Sequence, residues 1–335
     1  MEKYSKWRDP GTGIQPFLPI IPQRKNETTL NVIFNVVKNY LFGTILVIIK
    51  LPIILLLSLI SFISYQIGSV KLLNPLFRGI ILSIAIRLLL LLFGFFNIKT
   101  NSISLKRGIN NKTKIKVNQP KVGELIIVNS SSYLDLLYLQ MKYNPVFTKI
   151  CSKTGRLSKD TLWNSIINFG KLTILKDNDS HELNEFIQCV KNEGLGPIVI
   201  FLEGTSTNGR GVLKPITDLF NDLNEDNLNM RVVYIKYPFN DFSPTFPIGN
   251  LGFHFIKLIS QFKNNIIIQI LNNEEANSYI KEKENEGDRT QLIASLLSNV
   301  SKLRKLTLNI DDKKEFIEYY NKNNNIKANS QIKVE

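Results

Sequence analysis

Three short stretches hold side chains that can do chemistry together. Asn129-Ser130-Ser131-Ser132-Tyr133-Leu134-Asp135 follows an Ile/Val run and offers a carboxylate, Asp135, downstream of a set of hydroxyls. Taken alone it is a helix N-cap, with Ser and Asn meeting free N–H groups and Asp135 favouring the first-turn dipole. Phe201-Leu202-Glu203-Gly204-Thr205-Ser206-Thr207-Asn208-Gly209-Arg210 puts Glu203 where burial begins and a turn at Gly204. The hydroxyls and N–H groups of Thr205 to Gly209 can hold an anion, although Asn-Gly is also the commonest turn dipeptide. Gly170-Lys171-Leu172-Thr173-Ile174-Leu175-Lys176 reads as a strand ending in a cation. Imidazole is scarce: His181 and His254 are the only histidines. Cys151 and Cys189 have neither CxxC nor ligand spacing, which argues against a disulfide framework or a structural zinc site and for a reducing, cytosol-facing compartment.

The elements that must position these stretches are short. Glu124–Val128, Pro145–Ile150, Lys171–Leu175, Pro197–Leu202, Arg231–Tyr237 and Asn265–Leu271 read as strands. Tyr133–Met141, Asp160–Phe169, His181–Asn192 and Leu251–Phe262 read as helices, the third capped by Asp179 or Ser180. Such alternation predicts an α/β fold, a sheet flanked by helices, whose sites form at the carboxyl ends of strands. Toward the carboxyl terminus, Leu292, Ile293, Leu296, Leu297, Val300 and Leu303 share a helical face, and a charged helix follows from Asp311 to about Tyr320.

Composition points to a surface. The 335 residues carry a formal charge of +14, and residues 28–123 contain twelve Lys or Arg and no Asp or Glu. Within that stretch Leu41–Ile67 and Gly79–Ile98 are nearly continuous apolar runs, close to the ~20 residues a bilayer span needs. Lys50 interrupts the first and Arg87 lies near the middle of the second, where a centred charge costs roughly 2.5–3.5 kcal/mol. Pro52 and the turn from Gly68 to Arg78 therefore favour a helical hairpin that enters one leaflet or lies at the interface, its basic side chains snorkelling. The proline-rich start, with Trp7, Phe17, Lys3, Lys6 and Arg8, is expected to run extended beside the headgroups. Lys99–Lys121, with seven Lys or Arg and no acid, is expected to be drawn to anionic lipid. Nucleic-acid binding is set aside, because the basic residues adjoin an anchor and no recognition motif accompanies them. The chain divides into an arm (1–30), the hairpin (31–98), a basic juxtamembrane segment (99–122), an α/β domain (123–275), carboxy-terminal helices (285–325) and a tail (326–335) expected to fray.

Taken together and in order, the three stretches resemble the motifs of the glycerophospholipid acyltransferase family. Asn129, Ser132 and Asp135 match the first motif, and Ser130 stands where the family has its catalytic His. Gly170, Ile174 and, conservatively, Lys176 match the second. Phe201-Leu202-Glu203-Gly204-Thr205 matches the third with its proline replaced by Leu202, and the proline-rich fourth motif is degenerate in Val232–Pro238. The first residues, among them Trp7-Arg8-Asp9 and Pro16–Pro19, resemble the start of the family's fungal branch, the lysophosphatidic acid:oleoyl-CoA acyltransferases.

The resemblance implies a membrane-bound enzyme that acylates lysophosphatidate to phosphatidic acid, for phospholipid and triacylglycerol synthesis. Acyl-CoA is then a co-substrate, and neither cofactor nor metal is implied. Ser130 and Asp135 become the catalytic pair. Lys176, Glu203, Gly204, Thr205 and Arg210 become the substrate-binding set, with Arg210 replacing the family arginine on the phosphate. The Lys99–Lys121 segment would meet the coenzyme A phosphates, and the acyl chain would enter from the hairpin side. Without the His three routes remain: Asp135 as base directly or through water, Ser130 relaying a proton to Asp135, or positioning alone. A catalytically silent acyltransferase-fold scaffold at endoplasmic reticulum or lipid droplets is the alternative, its carboxy-terminal helices serving a protein partner. Either way the domain is expected to face the cytosol, leaving Asn26, Asn111, Asn129, Asn178 and Asn299 without glycan.

Overall fold

The structure is a computed structural model that describes residues 3–22, 41–70, 72–105, 118–151, 154–171, 180–216, 219–224, 227–283 and 287–332. Its centre is one sheet of seven strands: β1 (Ile98–Ile103), β2 (Leu125–Val128), β3 (Val146–Ile150), β4 (Leu157–Asp160), β5 (Ile198–Phe201), β6 (Met230–Lys236) and β7 (Ile266–Leu271). The order is β1-β7-β6-β2-β5-β3-β4. β2 lies parallel to both β5 and β6, while β3/β4 and β6/β7 are antiparallel, so the sheet is mixed. Successive side chains of a strand point to opposite faces. Here both sets are apolar: Ile126 and Val128 join one core cluster, Leu125 and Ile127 the other. Helices cover both faces, which is why the runs read as continuously apolar.

One face is covered by α1 (Gly43–Ile67), α2 (Leu82–Leu92), α3 (Tyr133–Tyr143), α4 (Leu162–Ile167) and α6 (Leu251–Ile259), and the other by α5 (Leu183–Glu193), α7 (Asn273–Lys283) and α8 (Arg289–Ser301). A final helix, α9, runs from Ile310 to Ile332, past the expected end near Tyr320.

Several expectations change. The strand expected over Lys171–Leu175, and Lys176 with it, falls almost entirely outside the described residues. The start of the basic segment is β1, an edge strand parallel to β7. Its exposed Lys99, Thr100 and Asn101 made it look like loop. Asp160 ends β4 rather than opening a helix, and Thr161 caps the short α4 by accepting from the Asn164 N–H at 3.3 Å. The N-cap of α5 is Glu182, which makes no side-chain capping bond. The polar α7 had no apolar stripe to announce it.

The arm is not free for headgroups. Trp7 and Phe17 are buried against Leu213, Ile248, Leu308 and Phe316 of α9. Asp9 binds the segment between α8 and α9, accepting from the N–H and hydroxyl of Thr307, both at 2.7 Å.

The hairpin, α1 followed by a wide helical segment (Pro75–Ile81) and α2, is long and apolar enough to cross a membrane by length and composition. Its contacts run along its whole length. Lys50 donates to the carbonyls of Ile259 and Gln261 at 3.2 and 2.9 Å. At the far end of α1 the Tyr65 hydroxyl accepts from the Leu162 N–H at 3.4 Å, and in the turn Asn74 accepts from Asn144 at 3.0 Å. Arg87 donates to the carbonyls of Phe95 and Phe96 at 2.9 and 2.8 Å. These cations thus reach backbone carbonyls of the protein instead of snorkelling away from it.

Candidate active site

β2 and β5 are neighbours in parallel register, Val128 opposite Phe201, so the loops that leave their carboxyl ends emerge side by side. Leu202 extends that pairing. Its N–H donates to the Val128 carbonyl at 3.2 Å, a bond that proline at this position could not make.

The first loop is built around Asp135. Ser132 caps α3 in a reciprocal capping box, its side chain accepting from the Leu134 N–H and Asp135 accepting from the Ser132 N–H. Asp135 is wholly buried, and its Oδ2 also accepts from the Ser131 N–H at 2.9 Å and the Ser131 hydroxyl at 3.3 Å. Its Oδ1 accepts a 2.6 Å bond from the Tyr237 hydroxyl, just beyond β6. Burial pushes the Asp135 carboxyl up to about 6, against the lowering pull of Tyr237 and the two N–H groups. Asn129 clamps the loop to β6: its side-chain oxygen accepts from the Ile235 N–H at 2.8 Å and its amide donates to the Ile235 carbonyl at 3.1 Å. That buried pairing removes Asn129 as a glycan acceptor in the folded protein.

Glu203 joins this loop to the second. Both oxygens of the buried carboxylate accept from backbone: Oε2 from Ser130 at 3.2 Å and Oε1 from Leu213 at 3.0 Å. Burial pushes its carboxyl up to about 7, with the Asp135 charge adding to the rise and the two N–H groups opposing it. A second strut runs back, the Thr207 N–H donating to the Ser130 carbonyl at 2.8 Å. Gly204 turns the chain at φ +62°, where any other residue is strained, and a Cβ there would lie 3.0 Å from Ile216 Cδ1, which would have to give way. Asn208 fastens the loop to the arm, donating to the carbonyls of Gln15 and Leu18 at 2.7 and 2.9 Å.

The structure therefore brings Ser130, Asp135, Glu203, Gly204 and Thr205 to adjacent strand ends. Glu203 is a strut between backbones rather than an exposed ligand for substrate, and Arg210 lies exposed at the far end of its loop. Lys176 is outside the described residues. The hydroxyl that reaches Asp135 belongs to Ser131, while that of Ser130 makes no hydrogen bond among the described residues. Sequence reasoning missed Ser131 and Tyr237. The one signal for Tyr237 in the sequence is its place at the carboxyl end of an expected strand, and only the sheet order sets that strand beside the motif strand.

Neither histidine joins the Asp135 and Glu203 cluster. His181 is exposed and takes part in a backbone bridge with Leu157. His254 on α6 lies 3.3 Å from the Ser243 carbonyl through Nε2 and 3.3 Å from the Tyr133 hydroxyl through Nδ1. A carbonyl only accepts, so Nε2 carries the proton and Nδ1 is taken by Tyr133. Burial pushes the imidazole down to about 4.

A provisionally named lysophosphatidic acid:oleoyl-CoA acyltransferase of Schizosaccharomyces pombe is 31% identical over 244 residues, 71% of this chain and 73% of that protein. No protein-family model matches the chain, and no solved structure does. That likeness covers most of both chains, and the chain belongs to the glycerophospholipid acyltransferase family.

Proposed function

We propose that this chain transfers an acyl group from acyl-CoA to lysophosphatidate, making phosphatidic acid, with Ser130 in the place of the family's histidine. The observation that carries the reading is the double strut between the two motif loops, Ser130 N–H to Glu203 and Thr207 N–H to the Ser130 carbonyl. It holds the Ser130 hydroxyl between two adjacent strand ends, with no hydrogen-bond partner among the described residues.

In the reaction the glycerol hydroxyl oxygen attacks the thioester carbon. The new C–O bond forms, the C–S bond breaks, and the hydroxyl proton ends on the departing coenzyme A sulfur. Asp135 is a poor direct base, because its oxygens already accept from Tyr237, Ser131 and Ser132. Its role is to freeze the loop that carries Ser130. A serine hydroxyl is itself too weak a base at neutral pH, so it orients the attacking hydroxyl, and positioning beside an already activated thioester supplies the acceleration. Thr205 and Arg210, with Lys176, are assigned to the phosphate of lysophosphatidate, Arg210 by bidentate pairing. The basic residues of 99–121 are assigned to the coenzyme A phosphates.

The hairpin is assigned to a single leaflet. A hairpin crossing the bilayer would carry Tyr65 and Asn74 to the side opposite the sheet domain, yet both bond to it. Anionic lipid, the endoplasmic reticulum and lipid droplets are assigned as the setting, with the domain on the cytosolic side. Glycan on Asn26, Asn111, Asn178 or Asn299 would overturn that side.

The scaffold reading keeps one supporting observation: Tyr237 occupies the Asp135 oxygen that an imidazole would need. The decisive assay is acyl transfer from oleoyl-CoA to lysophosphatidate by membranes containing the protein. Activity above empty membranes that is lost in Glu203→Ala is the expected result. Absence of activity in the native chain, with recovery once Ser130→His is combined with Tyr237→Phe, would mean a silent scaffold.

A further inference from the structure

Helix α6 is apolar on both sides, and among the described residues only one side is covered by protein. Leu251 and Phe255 pack on the sheet-side core and Leu258 and Ile259 are buried in it, as expected of a covering helix. On the other side Phe253 and Ile256, three apart and so on one face, are 60% and 50% exposed, and Phe262 just beyond the helix is 59% exposed. A helix apolar all round is ordinarily buried. We infer that the outer face of α6 sits in the lipid headgroup and acyl boundary, as a membrane contact separate from the hairpin. This inference rests on the proposed leaflet anchor and extends it.

Two observations select lipid as the occupant. The first is continuity. Phe262 packs on Phe42, at the start of the hairpin, with ring centroids 6.4 Å apart, and on Phe96, at its exit, at 5.7 Å. Lys50 of α1 holds the carboxyl end of α6 through Ile259 and Gln261, and Asn264 donates to the Phe93 carbonyl at 2.7 Å. The exposed face of α6 is thereby locked to the apolar surface of the hairpin. The second is charge. Asn250 to Asn265 contains Lys257 and Lys263 and no acid, continuing the acid-free character of residues 28–123. Lys257 lies over the Phe253 ring at 4.5 Å, an apolar face with a cationic rim suited to anionic headgroups.

The consequence concerns substrate access. The loop feeding α6 binds the motif loop directly: the Phe246 N–H donates to the Ser131 carbonyl at 2.8 Å and the Ser132 hydroxyl to the Pro244 carbonyl at 2.7 Å. With α6 seated in the leaflet, that loop and the strand ends beneath it meet the bilayer surface, where lysophosphatidate resides.

The test uses the full chain in a Cys151→Ser, Cys189→Ser background, reconstituted in vesicles of phosphatidylcholine and phosphatidylinositol without substrate. Single cysteines Phe253→Cys, Ile48→Cys on the hairpin and Asn192→Cys on α5, across the sheet, carry an environment-sensitive fluorophore. The label at 253 is expected to be quenched by doxyl lipid and shielded from aqueous iodide, as at 48, with the reverse at 192. Quenching at 253 by iodide, as strong as at 192, would overturn the inference. Shielding from iodide without doxyl quenching would also overturn it, by placing another protein copy there. Loss of doxyl quenching at 48 would break the anchor reading itself. If Phe253→Cys folds poorly, Phe262→Cys replaces it. Absence of acyl transfer leaves every one of these readings intact.

Discussion

The hairpin and the motif loops handle charge in mirror-image ways. In the hairpin, Lys50, Arg78 and Arg87 donate to main-chain carbonyls of residues 259 and 261, 65, and 95 and 96. At the strand ends, Asp135 and Glu203 accept from main-chain N–H groups of residues 131 and 132, and 130 and 213. Among the described residues, neither region balances these charges with a side chain of opposite sign. Backbone dipoles cannot titrate and are fixed by the fold, so each charge fastens a particular piece of chain. In the hairpin Lys50 fastens α1 to α6 while Arg78 and Arg87 fasten the hairpin's own turn and exit, and at the site the carboxylates fasten loops to one another. The cost also differs, because the two carboxylates are wholly buried and the penalty for an uncompensated group grows with desolvation.

That contrast can be broken most forcefully at Asp135. Asp135→Ala leaves the Ser131 and Ser132 N–H groups and the Tyr237 hydroxyl without their acceptor, and a loss on the order of 4 kcal/mol is expected. Chemical denaturation of the detergent-solubilised chain measures it, and a loss below that of an ordinary surface substitution would mean that the loop is held elsewhere.

Glu203 tests the same idea through pH. Its folded value, about 7, lies above the free carboxyl value of 4.5, so the folded chain holds the proton more tightly. The associated stability is full below about 4.5 and is lost as pH rises through about 7. Asp135 acts with the same sign, whereas His254, lowered from 6.5 to about 4, destabilises the fold as pH falls through that window. The pure Glu203 contribution is the difference between native and Glu203→Gln chains. The native chain's advantage should shrink by about 2–3 kcal/mol between pH 5 and pH 8. A pH-independent difference would contradict a desolvated carboxylate.

Catalysis offers the third test. In Ser130→His alone, Tyr237 still holds the Asp135 oxygen that should orient the imidazole, so only a small gain in acyl transfer is expected. Adding Tyr237→Phe frees that oxygen, and the double variant should exceed Ser130→His by about tenfold. Equal rates in the single and double variants would show that Tyr237 does not block the pairing.

The smallest effect belongs to the hairpin. Lys50→Met keeps the aliphatic stem and leaves the carbonyls at the end of α6 without a donor, a loss of about 1 kcal/mol. A loss as large as that of Asp135→Ala would erase the distinction between the two regions.

Legibility followed burial. Strands buried on both faces, such as Leu125–Val128 and Met230–Lys236, were plain as apolar runs. β1 and β4, at the two edges of the sheet, carry Lys99, Asn101 and Lys159, and no period separates such a strand from a loop. At the site, Glu203-Gly204-Thr205 and Ser130 to Asp135 stood out because both follow strands. Ser131 and Tyr237 did not, since their roles depend on which strands lie next to β2. The arm misled for a similar reason: its aromatic and basic residues suit a headgroup as well as they suit the α9 groove, and only a partner 300 residues away decides between them.

The order and kinds of residue alone determined the α/β class, the apolar hairpin, the absence of imidazole at the motif and the family. These are local properties, set by side-chain period and by motif spacing along one strand-to-turn junction. The tertiary structure alone decided that Glu203 bridges two loops, that Tyr237 fills the place beside Asp135, that the hairpin touches its domain at both ends, and that α6 shows an apolar face outward. Each of these depends on strand order and helix docking, which bring together residues that sequence keeps far apart.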